Sequence, residues 1–382
     1  MRPDQAHRYG VLFSDFFEVS KDSLEAHGAF NVSLAADLPL FIDPFLLFHS
    51  GEEKYQTLHH GMIRYLKFLR DKTLAGEVND GLVRRWFYFS EVRQTWLGFS
   101  EDGNGGHGLG KKFANALVDN FHRLFGEEEL KVTRGHHMEK LCLISGGVGR
   151  DCISDFTTNL IKSYLCEYTQ EFARANIAQE KCRKVWVEKA EFDYQTQSWR
   201  RQQYDLPWFK GDYVLLVPKD ILARDETWIN SRDLVEGFES LPMSLPDEGL
   251  RAEIDNYFRQ VLPPKPKGPD RAEAIRKTLL QFPELIDRFI KMKEDDGDHA
   301  QSLSDENVSR AQMIFENALS EIIEALRIKG FYDVVGDSLE SARARVMYLK
   351  QVIENQDGYR LFWDGDKRIL QREEDIHKLY KL

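Results

Sequence analysis

The sequence predicts an α/β (α+β) fold, with a mixed-sheet N-terminal domain followed by a mainly helical C-terminal segment. Two observations lead to this prediction. The pattern between residues 139 and 222 reads as strand, helix, strand, strand, which is typical of helices that pack on a sheet. A proline-rich stretch at 263–270 then separates this unit from a region of helical spacing. We therefore expect a mixed α/β domain (1–262), a linker (263–270) and a helical segment (271–382).

In the N-terminal part, the spacing of apolar residues distinguishes helices from strands. Alternation at residues 30–34 predicts a short strand, and the aromatic residues at 86–89 favour another. Residues 58–69 and 113–125 carry apolar side chains at helical spacing. We expect both of these longer segments to be helices that bury one face.

The central block supplies the strand, helix, strand, strand order. Residues 141–144 are a short apolar run that predicts a buried strand, and a glycine turn follows at 146–149. A helix is expected over 154–177, because its apolar residues recur at helical spacing. Residues 185–192 and 213–217 predict two further strands. Together these elements favour a mixed sheet.

Beyond the linker the sequence is mainly helical in character. Residues 313–326 show helical spacing, and so do residues 339–353, which follow a capping box of Asp337 and Glu340. The run Glu-Asp-Asp-Gly-Asp at 294–298 predicts an acidic loop.

Composition limits the class of protein but indicates no chemistry. The chain has 382 residues and a net charge of −11, an acidic balance that argues against a surface coating itself in nucleic acid. Its most apolar run, at 38–48, is broken by Asp43 and Pro44 and is shorter than the ~20 residues that span a bilayer. The four cysteines form no C-x-x-C pair, so a zinc finger is disfavoured. We expect a cytoplasmic protein with reduced thiols.

A glycine-rich segment at 103–112 is the first candidate binding site. It matches the G-x-x-x-x-G-K pattern of a phosphate loop, but Lys112 stands where such loops have Ser or Thr. Its exposed backbone N–H groups lead into a helix and could hold an anion there. The alternative is a flexible connection without a ligand. The candidate ligand-binding residues are Gly105, Gly106, Gly108, Gly110 and Lys111, together with Arg150 of the next motif.

Carboxylates at the start of the central helix raise a second hypothesis, a divergent Mg²⁺-dependent nuclease within the first domain. Asp151 and Asp155 follow a glycine turn, and Glu188 and Lys189 lie on a predicted strand. Mg²⁺ prefers carboxylate oxygens, and a lysine can stabilise developing charge. Against this, neighbouring strand residues such as Glu188 and Lys189 point to opposite faces. The alternative is that Asp155 and the preceding Ser154 serve the helix start through capping and the helix dipole.

Three weaker patterns have structural explanations that compete with chemical ones. The histidine pairs at 59–60 and 136–137 lack the spacing of a zinc site, so we expect no metal there. Arg372 and His377 form an R-x4-H motif similar to that of HEPN ribonucleases, but charged helices often contain this spacing. Basic and aromatic residues interleave at 199–219, which suits stacking on unpaired nucleotides, although core rings give the same composition.

Several segments resemble a family of uncharacterised bacterial proteins found among restriction and anti-phage genes. In longer members of that family, the segment similar to residues 357–382 leads into a C-terminal PD-(D/E)XK nuclease fold. The metal-binding Asp and E-x-K of that fold would follow Leu382, so no nuclease residue can be assigned in this sequence. The resembling segments are GAFNVSLAADLPLFIDPFLLF (28–48), GNGGHGLGKKF (103–113), GVGRDCISDFTTNLIKSYL (147–165), LLVPKDILARDETWIN (215–230) and DGYRLFWDGDKRILQREEDIHKLYKL (357–382).

The resemblance implies a bacterial anti-phage or restriction-type defence protein, the sensor or scaffold portion of a nuclease effector. Its binding surface is expected to combine the 103–112 loop with the helix start at 150–155. The implied partners are a nucleic acid or a phage protein as trigger, and a second copy or another defence subunit. No membrane partner is expected. The Mg²⁺-dependent nuclease and the HEPN-like ribonuclease remain the alternatives.

Overall fold

The computed structural model describes residues 12–34, 38–98, 108–125 and 132–313, with the separate positions 343, 346–347, 350, 363–364 and 367–368. This part of the chain has a mixed α+β fold with a helical C-terminal region, as the sequence predicted. Among these residues, no helix combines the length and the apolar character that crossing a bilayer requires.

Helices surround a central hairpin. In chain order the helices are α1 (Phe13–Phe17), α2 (Lys21–His27), α3 (Pro44–His49), α4 (Glu53–Leu74), α5 (Asp80–Trp86), α6 (Lys111–Leu124), α7 (Lys140–Ile144), α8 (Arg150–Leu160), α9 (Lys162–Asn176), α10 (Ser231–Gly237), α11 (Glu248–Val261), α12 (Gly268–Gln281), α13 (Glu284–Asp295) and α14 (Gly297–Met313). The strands are β1 (Leu40–Ile42), β2 (Cys182–Asp193), β3 (Ser198–Phe209), β4 (Asp212–Tyr213), β5 (Leu222–Arg224), β6 (Trp363–Asp364) and β7 (Lys367–Arg368).

The helices α4 and α6 confirm the predictions from apolar spacing. Helix α4 buries Tyr65 and Leu66 on its inner face, and α6 buries Phe113, Leu117 and Phe121. Burying a side chain of this size contributes about 1.5–3 kcal/mol. Packing of the inner face, rather than helix propensity alone, therefore stabilises each helix.

The hairpin of β2 and β3 is the longest sheet element of the described chain. Val185 pairs with Tyr204, and the register shifts between Val187 and Glu191, where Lys189 adopts a φ of +49°. All ladders between the described strands are antiparallel, although a mixed sheet was predicted. The reason is that β2 and β3 are joined by a turn of four residues, and so short a connection permits only antiparallel pairing.

Several short elements differ from the sequence predictions. Residues 141–144 belong to helix α7, all of whose residues are buried, and a short run buried on every side has no periodicity that separates helix from strand. The helix predicted over 154–177 is two helices, α8 and α9, which meet at Ile161. Segments 30–34 and 86–89 contribute isolated bridges rather than strands, and of 213–217 only the first residue is in a strand.

The helices after the proline-rich stretch pack against the N-terminal part and share its hydrophobic core. The Nζ of Lys140 donates to Oδ1 of Asp287 on α13 at 2.8 Å. The hydroxyl of Ser304 on α14 donates to the carbonyl oxygen of Leu222. Helix α12 already begins at Gly268, so the proline-rich stretch is a short connection between α11 and α12.

The predicted acidic loop is almost entirely helical. Only Asp296 lies between α13 and α14. The helices predicted over 313–326 and 339–353 lie outside the described residues, apart from Met313 and the isolated positions at 343, 346–347 and 350.

Candidate functional site

The start of α6 contains the described part of the glycine-rich site. A Cβ atom at Gly108 would collide with the carbonyl oxygen of Phe89, so the close approach of these two backbones requires glycine. Gly110 is the N-cap of α6 and has no side chain to accept a hydrogen bond, and Lys111 is exposed. The first N–H groups of α6 therefore have no cap from a side chain, an arrangement that anions use.

The start of α8, like that of α6, has no side-chain cap. Its N-cap is Gly149, again without a side-chain acceptor. Neither Ser154 nor Asp155 caps this helix, which corrects the structural alternative considered from the sequence. Instead, the buried hydroxyl of Ser154 accepts a hydrogen bond from the N–H of Ile42 at 2.9 Å and so links α8 to β1.

Arg150 forms specific contacts within the protein. Its Nη1 donates to Oε1 of Glu226 at 2.8 Å and to the carbonyl oxygen of Asp225. Its guanidinium lies 5.1 Å from the centre of the Phe41 ring. Arg150 therefore joins the start of α8 to the segment that follows β5.

Asp155 is the most perturbed of the candidate catalytic groups. Burial, together with the nearby carboxylates of Asp151 and Glu91, raises its pKa to about 8. The pKa of Asp151 is also raised by burial, an effect that Arg150 opposes. The carboxyl of Asp155 is consequently mostly protonated near neutral pH, which is a property of groups that exchange protons or bind ligands.

The two predicted parts of the binding surface lie side by side. Leu109 bridges to Phe89, and the Phe113 ring at the start of α6 lies 5.2 Å from the Phe156 ring of α8. We call the region formed by residues 108–112 and 150–155, of which Lys111, Lys112 and Asp151 are exposed, the helix-start surface. Gly105 and Gly106 lie outside the described residues.

Glu188 and Lys189 do not join the aspartates in one catalytic group. The side chain of Glu188 is 75% exposed, and its nearest cation is Arg201 at 3.9 Å. Lys189 turns the other way at the bulge in β2, and its Nζ donates to the carbonyl oxygen of Tyr88 at 2.7 Å. Of the four candidates, only Asp151 and Asp155 act on each other electrostatically.

The residues present do not fit a Mg²⁺ site in this geometry. No three His, Cys, Asp or Glu side chains of the described chain are placed to share a metal ion. The raised pKa of Asp155 also leaves it a poor ligand at neutral pH, because metal-binding carboxylates must be deprotonated. We derive no metal-dependent step for this site.

Lys162, which the sequence analysis did not single out, is a buried amine beside this region. Its Nζ donates to Oδ1 of Asn159 at 3.3 Å, and Asn159 in turn donates to the carbonyl oxygen of Ser90. Burial lowers the pKa of Lys162 to about 8. Lys162 lies three residues before the buried Leu165 and four before the buried Cys166, but this spacing is a weak sequence signal because lysine is normally exposed.

A second buried polar group joins α13 to the segment before α7. Both carboxylate oxygens of Glu294 accept hydrogen bonds from the backbone N–H of Arg134, at 2.9 and 2.8 Å. Oε1 of Glu294 also lies 2.9 Å from Nε2 of His137, whose side chain is fully buried. The sequence predicted an acidic loop at 294–298 and therefore did not predict that Glu294, its first residue, is buried.

Next to this group lie buried polar atoms without a hydrogen-bond partner among the described residues: Nε2 of His59, Nδ1 of His137 and both carboxylate oxygens of Glu139. Burial lowers the pKa of His59 to about 3 and raises that of Glu139 to about 8. Both groups are therefore neutral in the folded protein at neutral pH.

A polar cleft of about 290 Å³ opens between the segment after β5 and helix α14. Asp43 lies at its base, where its two oxygens accept hydrogen bonds from the backbone N–H groups of Phe45 and Trp228. Burial raises the pKa of Asp43 to about 6. The cleft was not predicted from the sequence, although its wall belongs to the segment 215–230 on which part of the family resemblance rests.

Comparison with known families gives two matches. Residues 18–230 match a family model described as a domain of unknown function, DUF8370. Residues 338–382 match a second model, also described as a domain of unknown function, DUF8371. No curated protein and no solved structure matches the chain. Because the first model covers more than half of the sequence, including both helix starts and part of one wall of the cleft, the chain belongs to the DUF8370 family.

Proposed function

We propose that this protein is the sensor or scaffold portion of a bacterial anti-phage nuclease effector and that it acts in the cytoplasm. Its recognition surface is the helix-start surface. The trigger is a nucleic acid or a phage protein, and the response passes to a second copy or to a partner defence subunit. The proposal rests on the resemblance of segments such as 147–165 and 215–230 to proteins of restriction and anti-phage genes.

One structural observation supports a recognition role most directly. The first turn of α6 contacts the second turn of α8, although the two helices are distant in the sequence, and neither helix start is capped by a side chain. Lys111 and Lys112 are exposed beside these N–H groups. Backbone donors and lysines together favour an acidic group on the trigger, such as a phosphate or a carboxylate.

The remaining candidates do not support catalysis. Arg150 and Lys189 are each held by fixed acceptors of the protein, and Glu188 faces solvent. A catalytic group must instead lie within hydrogen-bond reach of the reacting atoms, together with its partners.

A phage-protection assay tests the proposal. Cells that express the complete natural system should lose protection when Lys111 and Lys112 are both changed to Glu, because the recognition surface then repels an acidic trigger. Lys265→Glu, at an exposed position in the proline-rich stretch, is the matched control and should leave protection intact. Full protection by the double variant would contradict the assignment of this surface.

A nuclease assay separates the proposal from its enzymatic alternative. The purified 382-residue chain is expected to leave DNA and RNA intact with Mg²⁺ or Mn²⁺. Cleavage by this chain that disappears in Asp155→Asn would instead establish the divergent nuclease. The raised pKa of Asp155 is the observation that favours this second candidate, since such a group can transfer a proton. Arg372 and His377, on which the HEPN-like alternative rests, lie outside the described residues.

A further inference from the structure

The cleft beside β5 has the features of a small-ligand site. Its volume of about 290 Å³ lies at the lower end of the roughly 300–1,000 Å³ of known ligand pockets. One wall runs from Ala223 to Glu236, and the other is formed by residues of α14 that include Leu303 and Ser304. The size suits a ligand no larger than an amino acid or a short peptide end.

Most charged groups of the cleft already have a partner. Carboxylates outnumber guanidinium groups in the lining, where they are Asp43, Asp225, Glu226, Asp233 and Glu236 against Arg224 and Arg232. The pairs formed are Glu226 with Arg150, Asp233 with Lys293 and Glu236 with Arg232.

Asp225 and Arg224 form only a loose ion pair, with each other. The Oδ2 of Asp225 lies 3.9 Å from Nε of Arg224, which is too long for a hydrogen bond. This carboxylate side chain is 65% exposed. The Nε of Arg224 is buried and has no hydrogen-bond partner within the described chain. A buried guanidinium N–H without an acceptor costs free energy, and the guanidinium, whose side chain is 21% exposed, can turn to donate to an oxygen atom of a ligand.

An acceptor for a cation therefore lies next to a donor for an oxygen. In every amino acid, and at every peptide amino terminus, an α-ammonium group likewise lies next to a carboxyl or carbonyl oxygen. We propose that this cleft binds an α-ammonium head group, with the ammonium on Asp225 and the neighbouring oxygen on Arg224. With the partner cations Arg150 and Lys293 counted, the carboxylates of the lining exceed the cations by one, which favours a basic side chain on the ligand.

Titration calorimetry with the full chain tests this inference. Each proteinogenic L-amino acid is added separately, and L-arginine and L-lysine are expected to bind most tightly. N-acetyl-L-arginine, which lacks the ammonium, should not bind. L-arginine amide, which keeps the ammonium and a carbonyl oxygen, distinguishes the two sources of the ligand: binding indicates a peptide amino terminus, and its absence indicates a free amino acid.

Two variants connect the binding to the proposed residues. Asp225 has a φ of +68°, a conformation that Asn tolerates well, so Asp225→Asn removes the charge without straining the backbone. It should weaken binding at least about tenfold, and so should Arg224→Gln. Asp255→Asn, an exposed acid on α11 that pairs with Arg259, is the control and should bind as the natural protein does.

The inference is overturned if no amino acid binds saturably, if the best ligand binds equally after N-acetylation, or if Asp225→Asn binds as tightly as the natural protein while its circular dichroism is unchanged. It does not rest on the proposed defence function. The phage assay probes Lys111 and Lys112, whereas this titration probes Asp225, so each can fail without the other.

Discussion

The guanidinium of Arg150 donates to the carboxylate of Glu226 at 2.8 Å and thereby fastens the first turn of α8 to the wall of the cleft. The two side chains are mostly shielded from solvent, with exposed fractions of 20% and 32%. The helix-start surface and the cleft are therefore joined by one ion pair. A shift of the cleft wall would displace the first turn of α8 and, with it, Asp151 and Asp155.

Arg150→Ala should destabilise the protein by about 1–2 kcal/mol, since it removes charge-assisted hydrogen bonds from a partly buried carboxylate. Urea unfolding followed by circular dichroism measures this. Arg259→Ala, which removes a pair exposed on both sides, should cost less than about 0.5 kcal/mol. Equal losses in the two variants would show that the Arg150 pair contributes no more than a surface pair.

Glu294→Ala should be far more harmful than its neighbour Asp295→Ala. The first change leaves the N–H of Arg134 and the ring of His137 buried without an acceptor, at a cost of about 3 kcal/mol. The second removes only an exposed pair with Lys291. Unfolding midpoints in urea give the comparison, and similar midpoints would disprove the buried role of Glu294.

The buried carboxyl of Glu139 should make the free energy of unfolding depend on pH. Its pKa rises from an ordinary 4.5 to about 8 on folding, so the folded state binds more protons than the unfolded state between these values. Stability contributed by this group therefore falls as the pH rises from 4.5 to about 8. Glu139→Gln should flatten the loss of stability between about pH 5 and 8, whereas the exposed control Glu253→Gln should not. An unchanged slope in Glu139→Gln would contradict the prediction.

The histidine pair at 59–60 allows a matched comparison. His59 is buried, its Nε2 has no hydrogen-bond partner among the described residues, and its ring lies 5.2 Å from that of Phe48. His59→Phe replaces an unsatisfied polar atom by an apolar one and should stabilise the fold by about 1 kcal/mol. His60→Phe, at the exposed neighbouring position, should have little effect on the melting temperature. Strong destabilisation by His59→Phe would mean that Nε2 has a partner in solution, such as a buried water.

The two glycines before α6 should respond differently to alanine. Gly108→Ala forces a Cβ atom against the backbone of Phe89 and Glu91, so we expect a loss of about 1–3 kcal/mol. Gly110→Ala meets no atom within 4 Å and should cost about 0.5 kcal/mol, because alanine is a poor N-cap. Thermal unfolding of both variants decides, and equal losses would show that the close approach at Gly108 is not required.

Local spacing predicted the long amphipathic elements well. Helices α4 and α6 follow directly from apolar residues on one face. Spacing failed for α7, because all of its residues are buried and none marks an outer face. It failed again at Ile161, where α8 ends and α9 begins without a proline or glycine.

The groups that decide the candidate sites depend on contacts between distant parts of the chain. Glu294 lies in an acidic run that resembles a solvated loop, and its burial depends on Arg134, which is 160 positions earlier. The cleft needs α14 to lie opposite residues 223–236, which no local pattern encodes. Sequence reasoning found the charged motifs, but it could not tell which charges are already paired within the protein.

The contacts of α13 and α14 bear on how the chain folds. A fragment ending at residue 262 would leave Lys140 buried without Asp287 and His137 without Glu294. It would also expose the apolar surface that these helices cover. We therefore expect that the first 262 residues do not fold on their own, and that the N-terminal half and the helices through α14 unfold in one cooperative transition.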